Sequence, residues 1–159
     1  MADAAQRLAG HEIVARYVGG SHFDPDTNQI NGSAFERTPK DKDGVSVTRR
    51  NFLKSDTEED RNEIRRIMAS RLKFGKTAVF AELYIENALA ALAEYEQDIH
   101  FCTDPLEEDG TELANPAHAL LIGFPFKGDQ VGSLKSEVAG DKLRKCISDK
   151  FAAIQNDSN

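Results

Sequence analysis

Three residues in the middle of the chain have the side-chain types that nucleophilic catalysis requires. Cys102 would attack a substrate, and His118 would act as the base that takes up the thiol proton. Asp104 or Asn115 would orient the imidazole. The order and spacing of these residues match no diagnostic motif, and for a histidine at a strand start a hydrogen bond to a loop carbonyl is the favoured alternative. The sequence therefore offers a catalytic hypothesis beside a structural one.

The same region also suggests metal binding. His100 and Cys102 stand two residues apart on a predicted strand, so they point to the same face of it. If the next strand pairs alongside, His118 approaches them, and three N and S ligands could hold Zn²⁺ with a fourth position open. No C-x-x-C or H-x-x-x-H spacing accompanies these residues. We therefore predict no bound metal and no other cofactor.

A further group of polar residues lies before and on the first predicted helix. Its loop members are His22, Asp24, Ser33, Arg37 and Ser46. A non-catalytic module would use such residues to bind a protein partner, and the predicted contact residues are Ser33, Arg37, Ser46, Arg49, Arg50, Arg61 and Arg65. A phosphate or nucleotide site would also use arginines, but no Gly-rich phosphate motif is present. The alternative is that turn chemistry explains the loop residues and that neighbouring glutamates pair with the helix arginines on a solvated face.

Composition and charge narrow the class of protein. The chain has 159 residues and a formal net charge of -7, which argues against a general nucleic-acid binder because phosphate backbones favour excess Lys and Arg. Two cysteines are too few for a disulfide framework. No apolar run approaches the roughly 18 residues of a membrane-spanning helix, and the N-terminus lacks the pattern of a signal peptide. We therefore expect a single cytoplasmic domain over residues 1–159, with flexible ends at 1–9 and 155–159.

The residue patterns predict an α+β domain. Runs rich in β-branched and aromatic residues predict short strands near 13–18, 45–48, 77–83, 98–103 and 117–123. Apolar residues at helical spacing predict helices over 56–73, 85–95 and 134–154. A capping box from Ser55 to Glu58 opens the first of these helices. The expected fold is a small mixed sheet of about four or five short strands packed by three helices, in which parallel pairs are allowed.

Turn formers mark residues 19–51 as a loop-rich segment. Asn31-Gly32 is a candidate type I′ turn within it. Phe35 and Val47 are its expected apolar anchors, and the rest of the segment is expected to stay at the surface. A long ordered loop of this kind is often functional.

Short pieces of the chain resemble patterns in small uncharacterised bacterial proteins. These pieces are Ile30-Asn31-Gly32-Ser33-Ala34-Phe35, then Ser46-Val47, then Asn115-Pro116-Ala117-His118-Ala119. The resemblance carries no activity with it. It implies a bacterial cytosolic origin and directs attention to Ser33, Phe35, Ser46, Asn115 and His118 as a shared surface.

The function predicted from these observations is a non-catalytic protein-interaction module or accessory subunit. Its partner would be a protein, for example the product of a neighbouring gene, while a membrane or nucleic-acid partner is not expected. The alternative is a small enzyme that uses Cys102, His118 and Asp104, or a metal held by His100, Cys102 and His118.

Overall fold

The computed structural model describes residues 5–35, 44–95, 98–125 and 130–155. Its strands are β1 Ile13–Val18, β2 Phe23–Asp24, β3 Gln29–Ile30, β4 Val45–Arg49, β5 Val79–Tyr84, β6 His100–Thr103, β7 His118–Ile122 and β8 Ile147–Ala152. Its α-helices are α1 Thr57–Ala69, α2 Ile85–Ala91 and α3 Gln130–Arg144, and short 3-10 helices cover Gly20–His22 and Gly32–Phe35. None of the helices described is both long and apolar enough to cross a membrane. Of the ends expected to be flexible, 1–9 and 155–159, residues 1–4 and 156–159 lie outside the described residues, whereas Gln6 and Leu8 form backbone hydrogen bonds with β6.

Six strands form one sheet in the order β6-β7-β4-β1-β5-β8, and β2 and β3 form a separate hairpin. Every pair among the described strands is antiparallel, although the sequence left parallel pairs open. The α+β class is confirmed, and so are the positions of five strands. The expected four or five strands are too few, because β8 and the β2-β3 hairpin were missed.

The sheet is covered on both faces. Alternate strand residues, among them Val14, Val47, Phe101 and Leu121, pack against α2, α3 and the 3-10 helix Gly32–Phe35 in the larger apolar cluster. We call this side the core face. The intervening residues point the other way, where α1 packs on a smaller apolar cluster of Ala15, Ile64, Ala78, Phe80, Phe151 and Ala153. We call this side the α1 face.

Helix α1 begins one residue later than the capping box predicts. The N-cap is Asp56 rather than Ser55, and its carboxylate accepts a hydrogen bond of 3.0 Å from the Glu59 amide. The helix ends at Ala69, and Arg71 then donates to the carbonyls of Leu113 and Glu107. Residues 70–73 therefore tie the end of the helix to the loop between β6 and β7.

The predicted helix over 134–154 is wrong in its second half. Helix α3 stops at Arg144, and residues 147–152 run back as β8 along β5. Leu143, Ile147, Phe151 and Ile154 do have helical spacing, but Phe151 also alternates correctly for a strand. Its ring stacks on Phe80 with centroids 5.0 Å apart. Cross-strand packing therefore outweighs the local helical pattern.

The loop-rich segment is only partly at the surface. Phe35 and Val47 are buried, as expected for its anchors, but Ile30, Gly32 and Ala34 are buried too. Asn31-Gly32 makes no hairpin turn. The turn that joins β2 to β3 lies at residues 25–28 and includes Asn28, which has a positive φ of 58°. Gly32 starts a 3-10 helix that lies directly against α3, where a Cβ would stand 2.8 Å from the Asp141 amide nitrogen.

Candidate functional site

A cavity of about 280 Å³ lies on the α1 face, between the end of α1 and strands β1, β4 and β7. Most of its wall is apolar and comes from Ala15, Tyr17, Val47, Met68, Leu72 and Phe80. Polar residues complete the lining, namely Arg16, Ser46, Thr48 and His118. A mainly apolar cavity with a few convergent polar groups is the usual form of a small-molecule site.

Strand register brings the polar residues together. Thr48 stands opposite His118, and Ser46 stands opposite Leu120, in the β4-β7 pair. Residues directly opposite each other, and those two positions along, share one face of a sheet. Ser46, Thr48 and His118 therefore face the same space beside α1.

His118 is buried, and Asp104 holds one of its ring nitrogens. Nδ1 lies 2.8 Å from the Asp104 carbonyl oxygen and 3.1 Å from the Asp104 carboxylate. Both groups only accept hydrogen bonds when the carboxylate is ionised, so Nδ1 carries the proton and Nε2 of the neutral ring is an acceptor. Nε2 makes no hydrogen bond with any described residue. The expected bond from His118 to a loop carbonyl is therefore present, and it leaves the second nitrogen open to a ligand.

Asn115 has a supporting position and makes no hydrogen bond with the His118 imidazole, although its carbonyl accepts from the His118 amide at 3.2 Å. It is fully buried, its Oδ1 accepts from the Ala117 amide at 3.1 Å, and its Nδ2 donates to Thr48 Oγ1 at 3.4 Å. It thereby fixes the turn that leads into β7. Of the two residues predicted to orient the imidazole, Asp104 is the one that contacts it.

Ser46 adds a second open polar group. Its carbonyl accepts a hydrogen bond of 2.9 Å from the Arg16 guanidinium, whereas its hydroxyl bonds to no described residue. The Arg16 Nε also donates to the carbonyl of Ala34 at 3.0 Å. Because Arg16 alternates with Ala15 and Tyr17 along β1, its guanidinium lies on the core face, where these two backbone carbonyls bind it.

Cys102 lies on the α1 face of β6, opposite Leu120, but it forms no hydrogen bond with His118 or Asp104. Burial raises the pKa of the Cys102 thiol above its ordinary value, and the nearby Asp104 charge raises it further, against a small lowering by Arg7. A thiol with a raised pKa stays protonated at neutral pH, which is opposite to what an activated nucleophile needs.

His100 is half-buried on β6, and its Nδ1 lies 3.2 Å from the Asp98 carbonyl. Although His100, Cys102 and His118 share one face, they do not form a metal-binding group. Within the described ranges, no three His, Cys, Asp or Glu side chains are close enough to hold a metal ion together.

The predicted partner-binding residues are dispersed, and most of them bond within the chain. Arg50 is buried in ion pairs with Asp60 and Glu82, and Arg61 pairs with Glu82 and Asp149. Such buried charges require their partners, so these two arginines hold α1 on the sheet.

The other predicted contact residues have varied positions. Arg49 pairs with Glu12, and Arg65 donates to the Ala152 carbonyl at 2.8 Å. The Ser33 hydroxyl lies 2.7 Å from His22 Nδ1. Arg37 lies outside the described residues. Ser33 and Phe35 are on the core-face side, whereas Ser46 and His118 line the cavity and Asn115 bonds to Thr48 beside it. The five residues of the resemblance therefore do not form one surface.

Two features of this side were not recognised in the sequence. Tyr17 and Phe80 form an aromatic wall because they are cross-strand partners, which no local pattern reveals. Glu82 did give a signal, since a lone carboxylate in the apolar strand Val79–Tyr84 requires a buried cation.

No protein-family model matches the chain, and searches of curated proteins and of solved structures find no significant similarity.

Proposed function

We propose that the chain binds a small, uncharged and largely apolar molecule in the cavity on the α1 face, with His118 as the anchor for the polar group of that molecule. One observation carries the proposal. The apolar cavity is lined by an imidazole whose Nδ1 is fixed by Asp104 and whose Nε2 has no partner among the described residues.

The size of the cavity favours a compact molecule. An apolar cavity of about 150 Å³ is enough to hold benzene. The cavity here is about 280 Å³, which leaves room for one ring and a substituent. Tyr17, Met68 and Phe80 would contact the ring, since aromatic and thioether groups pack well against such surfaces.

The polar lining favours a neutral hydroxyl or carbonyl compound over an ion. The Arg16 guanidinium already donates to the carbonyls of Ala34 and Ser46, and none of the described carboxylates lines the cavity. His118 Nε2 would accept a hydrogen bond from a ligand hydroxyl. The Ser46 hydroxyl would supply a second contact, as donor or acceptor.

The same arrangement would support proton transfer. A proton taken from a bound hydroxyl by Nε2 would create an imidazolium, and the Asp104 carboxylate beside Nδ1 would stabilise that charge. In this form of the enzyme hypothesis, His118 is the base and Asp104 orients it. The protonated Cys102 takes no part in the reaction.

The test compares phenol with benzene, which differ by the hydroxyl that His118 would bind. We expect phenol to bind the native protein roughly threefold to tenfold more tightly than benzene, which is the worth of one hydrogen bond. In His118→Phe the preference for phenol should disappear. His11→Phe, which alters an exposed histidine away from the cavity, is the matched control and should keep the preference. Equal affinities in the native protein, or a preference that survives in His118→Phe, would contradict the proposal.

A second candidate function is docking of a protein partner at Phe52. The Phe52 ring is 46% exposed, and the Arg49 guanidinium lies over it at 4.3 Å from the centroid. A cleft of about 410 Å³ adjoins the ring and includes Glu12 and Asn51 in its lining. An exposed aromatic side chain beside an arginine is typical of the energetic centre of a protein interface.

The docking candidate can be tested with a co-expressed protein from a neighbouring gene. We expect Phe52→Ser to abolish co-elution on size exclusion, while Lys54→Ser, an exposed neighbour, leaves it intact. Co-elution of the Phe52→Ser variant would remove Phe52 from the interface.

A further inference from the structure

A second cleft lies on the opposite side of the sheet from α1. It has a volume of about 420 Å³ and runs between the β2-β3 hairpin and the end of α3. His22 and Asp24, which the sequence placed in a group of suggestive loop residues, lie in its wall. The cavity proposed above does not use any of this surface.

The walls of this cleft are held firmly in place. The Asn31 amide donates to the His22 carbonyl at 2.8 Å, and the His22 ring bonds to Ser33. Gly32 touches the backbone of Gly140 on α3, an approach that only two glycines allow. The hairpin and the helix therefore form a fixed frame around the cleft.

Polar groups of several types line the cleft, and some of them are unpaired within the part of the chain that the structure describes. Hydroxyls come from Ser21 and Thr27, and amides come from Gln29 and Asn31. The side chains of these four residues form no hydrogen bond with other described residues. They offer both donors and acceptors to a ligand.

The charges in the cleft nearly balance, with a small negative excess. Asp24 and Asp141 face Arg144, whose Nε and Nη2 lie 2.9 and 2.7 Å from one oxygen of Asp141. The hydrogen bond from Arg144 holds the pKa of Asp141 below its ordinary value, so this carboxylate is charged at neutral pH. Phosphate and other anions would be repelled, whereas a neutral ligand would be accepted.

We infer that this cleft binds a neutral polyhydroxylated ligand of the carbohydrate class. Each sugar hydroxyl both donates and accepts, which matches a wall that mixes carboxylates, amides, hydroxyls and one guanidinium. Phe23 supplies an apolar patch in the same wall, where the C–H face of a sugar ring can rest. The size of the cleft suits one or two sugar rings.

Amide NMR titrations with glucose, N-acetylglucosamine, maltose and cellobiose test this inference. At least one of the four sugars should produce saturable shifts confined to residues 21–31 and 141–144. In the double variant Gln29→Ala/Asn31→Ala, the dissociation constant should rise about tenfold, since two ligand hydrogen bonds are lost. Asn87→Ala, an exposed amide on α2, is the matched control and should bind like the native protein.

Three outcomes would overturn the inference. The first is that none of the four sugars produces saturable shifts. The second is that the double variant binds the sugar as tightly as the native protein does. The third is that inorganic phosphate, added without a sugar, shifts the resonances of the cleft. Phenol binding by the double variant should stay unchanged, so failure here is separable from failure of the α1-face cavity.

Discussion

The two faces of the sheet differ in what their neighbouring elements bury. On the core face, α2, α3 and the 3-10 helix Gly32–Phe35 enclose a cluster of apolar side chains. On the α1 face the apolar cluster is smaller, and charged and polar residues are buried beside it. Among the described residues, six of the seven buried polar ones lie around α1, namely Thr48, Arg50, Asp60, Glu82, Asn115 and His118.

We propose that the two faces of the sheet divide stability from function. The core face has the close packing that contributes most to stability. The α1 face has a buried ion-pair network and a cavity, neither of which stabilises the fold as much as close apolar packing does. We therefore place the candidate function on the α1 face, and substitutions on each face can test that division.

The largest effect should come from breaking the buried network on the α1 face. Arg50→Ala leaves Asp60 buried without a cation and leaves Glu82 paired with Arg61 alone, so the free energy of unfolding should fall by about 3–5 kcal/mol. Arg66→Ala is the control, because its ion pair with Glu63 is exposed and should contribute little to stability. Urea unfolding measures both, and equal losses would show that the network is not buried as described.

Two adjacent leucines on β7 compare the faces directly. Leu121 points into the core face and is 1% exposed, so Leu121→Ala should cost about 2–5 kcal/mol of unfolding free energy. Leu120 points to the α1 face and is half-buried, so Leu120→Ala should cost roughly 1 kcal/mol. Urea unfolding that gave the reverse order would mean that the strand register is shifted by one residue.

A smaller loss of unfolding free energy should follow from adding one methyl carbon where the 3-10 helix Gly32–Phe35 packs against α3. Gly32→Ala places a Cβ 2.8 Å from the Asp141 amide nitrogen, and this overlap should cost about 1–3 kcal/mol. Gly75→Ala is the matched control, since its nearest contact would be 3.8 Å away. Thermal unfolding that leaves Gly32→Ala as stable as the control would rule out the close approach of the 3-10 helix to α3.

The smallest effect concerns the reactivity of Cys102. Because burial raises the pKa of this thiol, iodoacetamide should alkylate it at pH 7 at least roughly tenfold more slowly than in the urea-unfolded chain. The folded state binds the thiol proton more tightly than the unfolded state does. The Cys102 thiol therefore contributes its full stabilisation below the pKa of the unfolded state, and this contribution is lost as pH rises through the pKa of the folded state. If mass spectrometry found rapid labelling at Cys102, the thiol would again be a candidate catalytic nucleophile.

Much of the fold could be predicted because local patterns and tertiary packing agree over most of the chain. Strands such as β1 and β7 have β-branched or aliphatic runs bounded by turn residues, and α1 has acidic residues at its start and an apolar stripe. Strand β8 was missed because Leu143, Ile147 and Phe151 satisfy a helical period as well as a strand. Only pairing with β5 decides between the two, and that contact is not local.

The candidate site was predicted only in part, because its cavity also depends on contacts that are not local in the sequence. The residue types of His118 and Asp104 pointed to a polar pair, and the structure places them in contact. Met68 was identified only as part of an apolar stripe. The cavity depends on the way β1, β4 and β7 align beneath the end of α1, and short-range spacing contains no information on that alignment.

One measurement tests the α1-face cavity most directly. Met68 lies in the cavity wall, so methyl-labelled methionine gives a reporter inside the site. In a titration with phenol, we expect the Met68 methyl resonance to shift saturably, and we expect weaker binding in His118→Phe. A Met68 resonance that does not move as phenol is added would contradict a ligand site on this face.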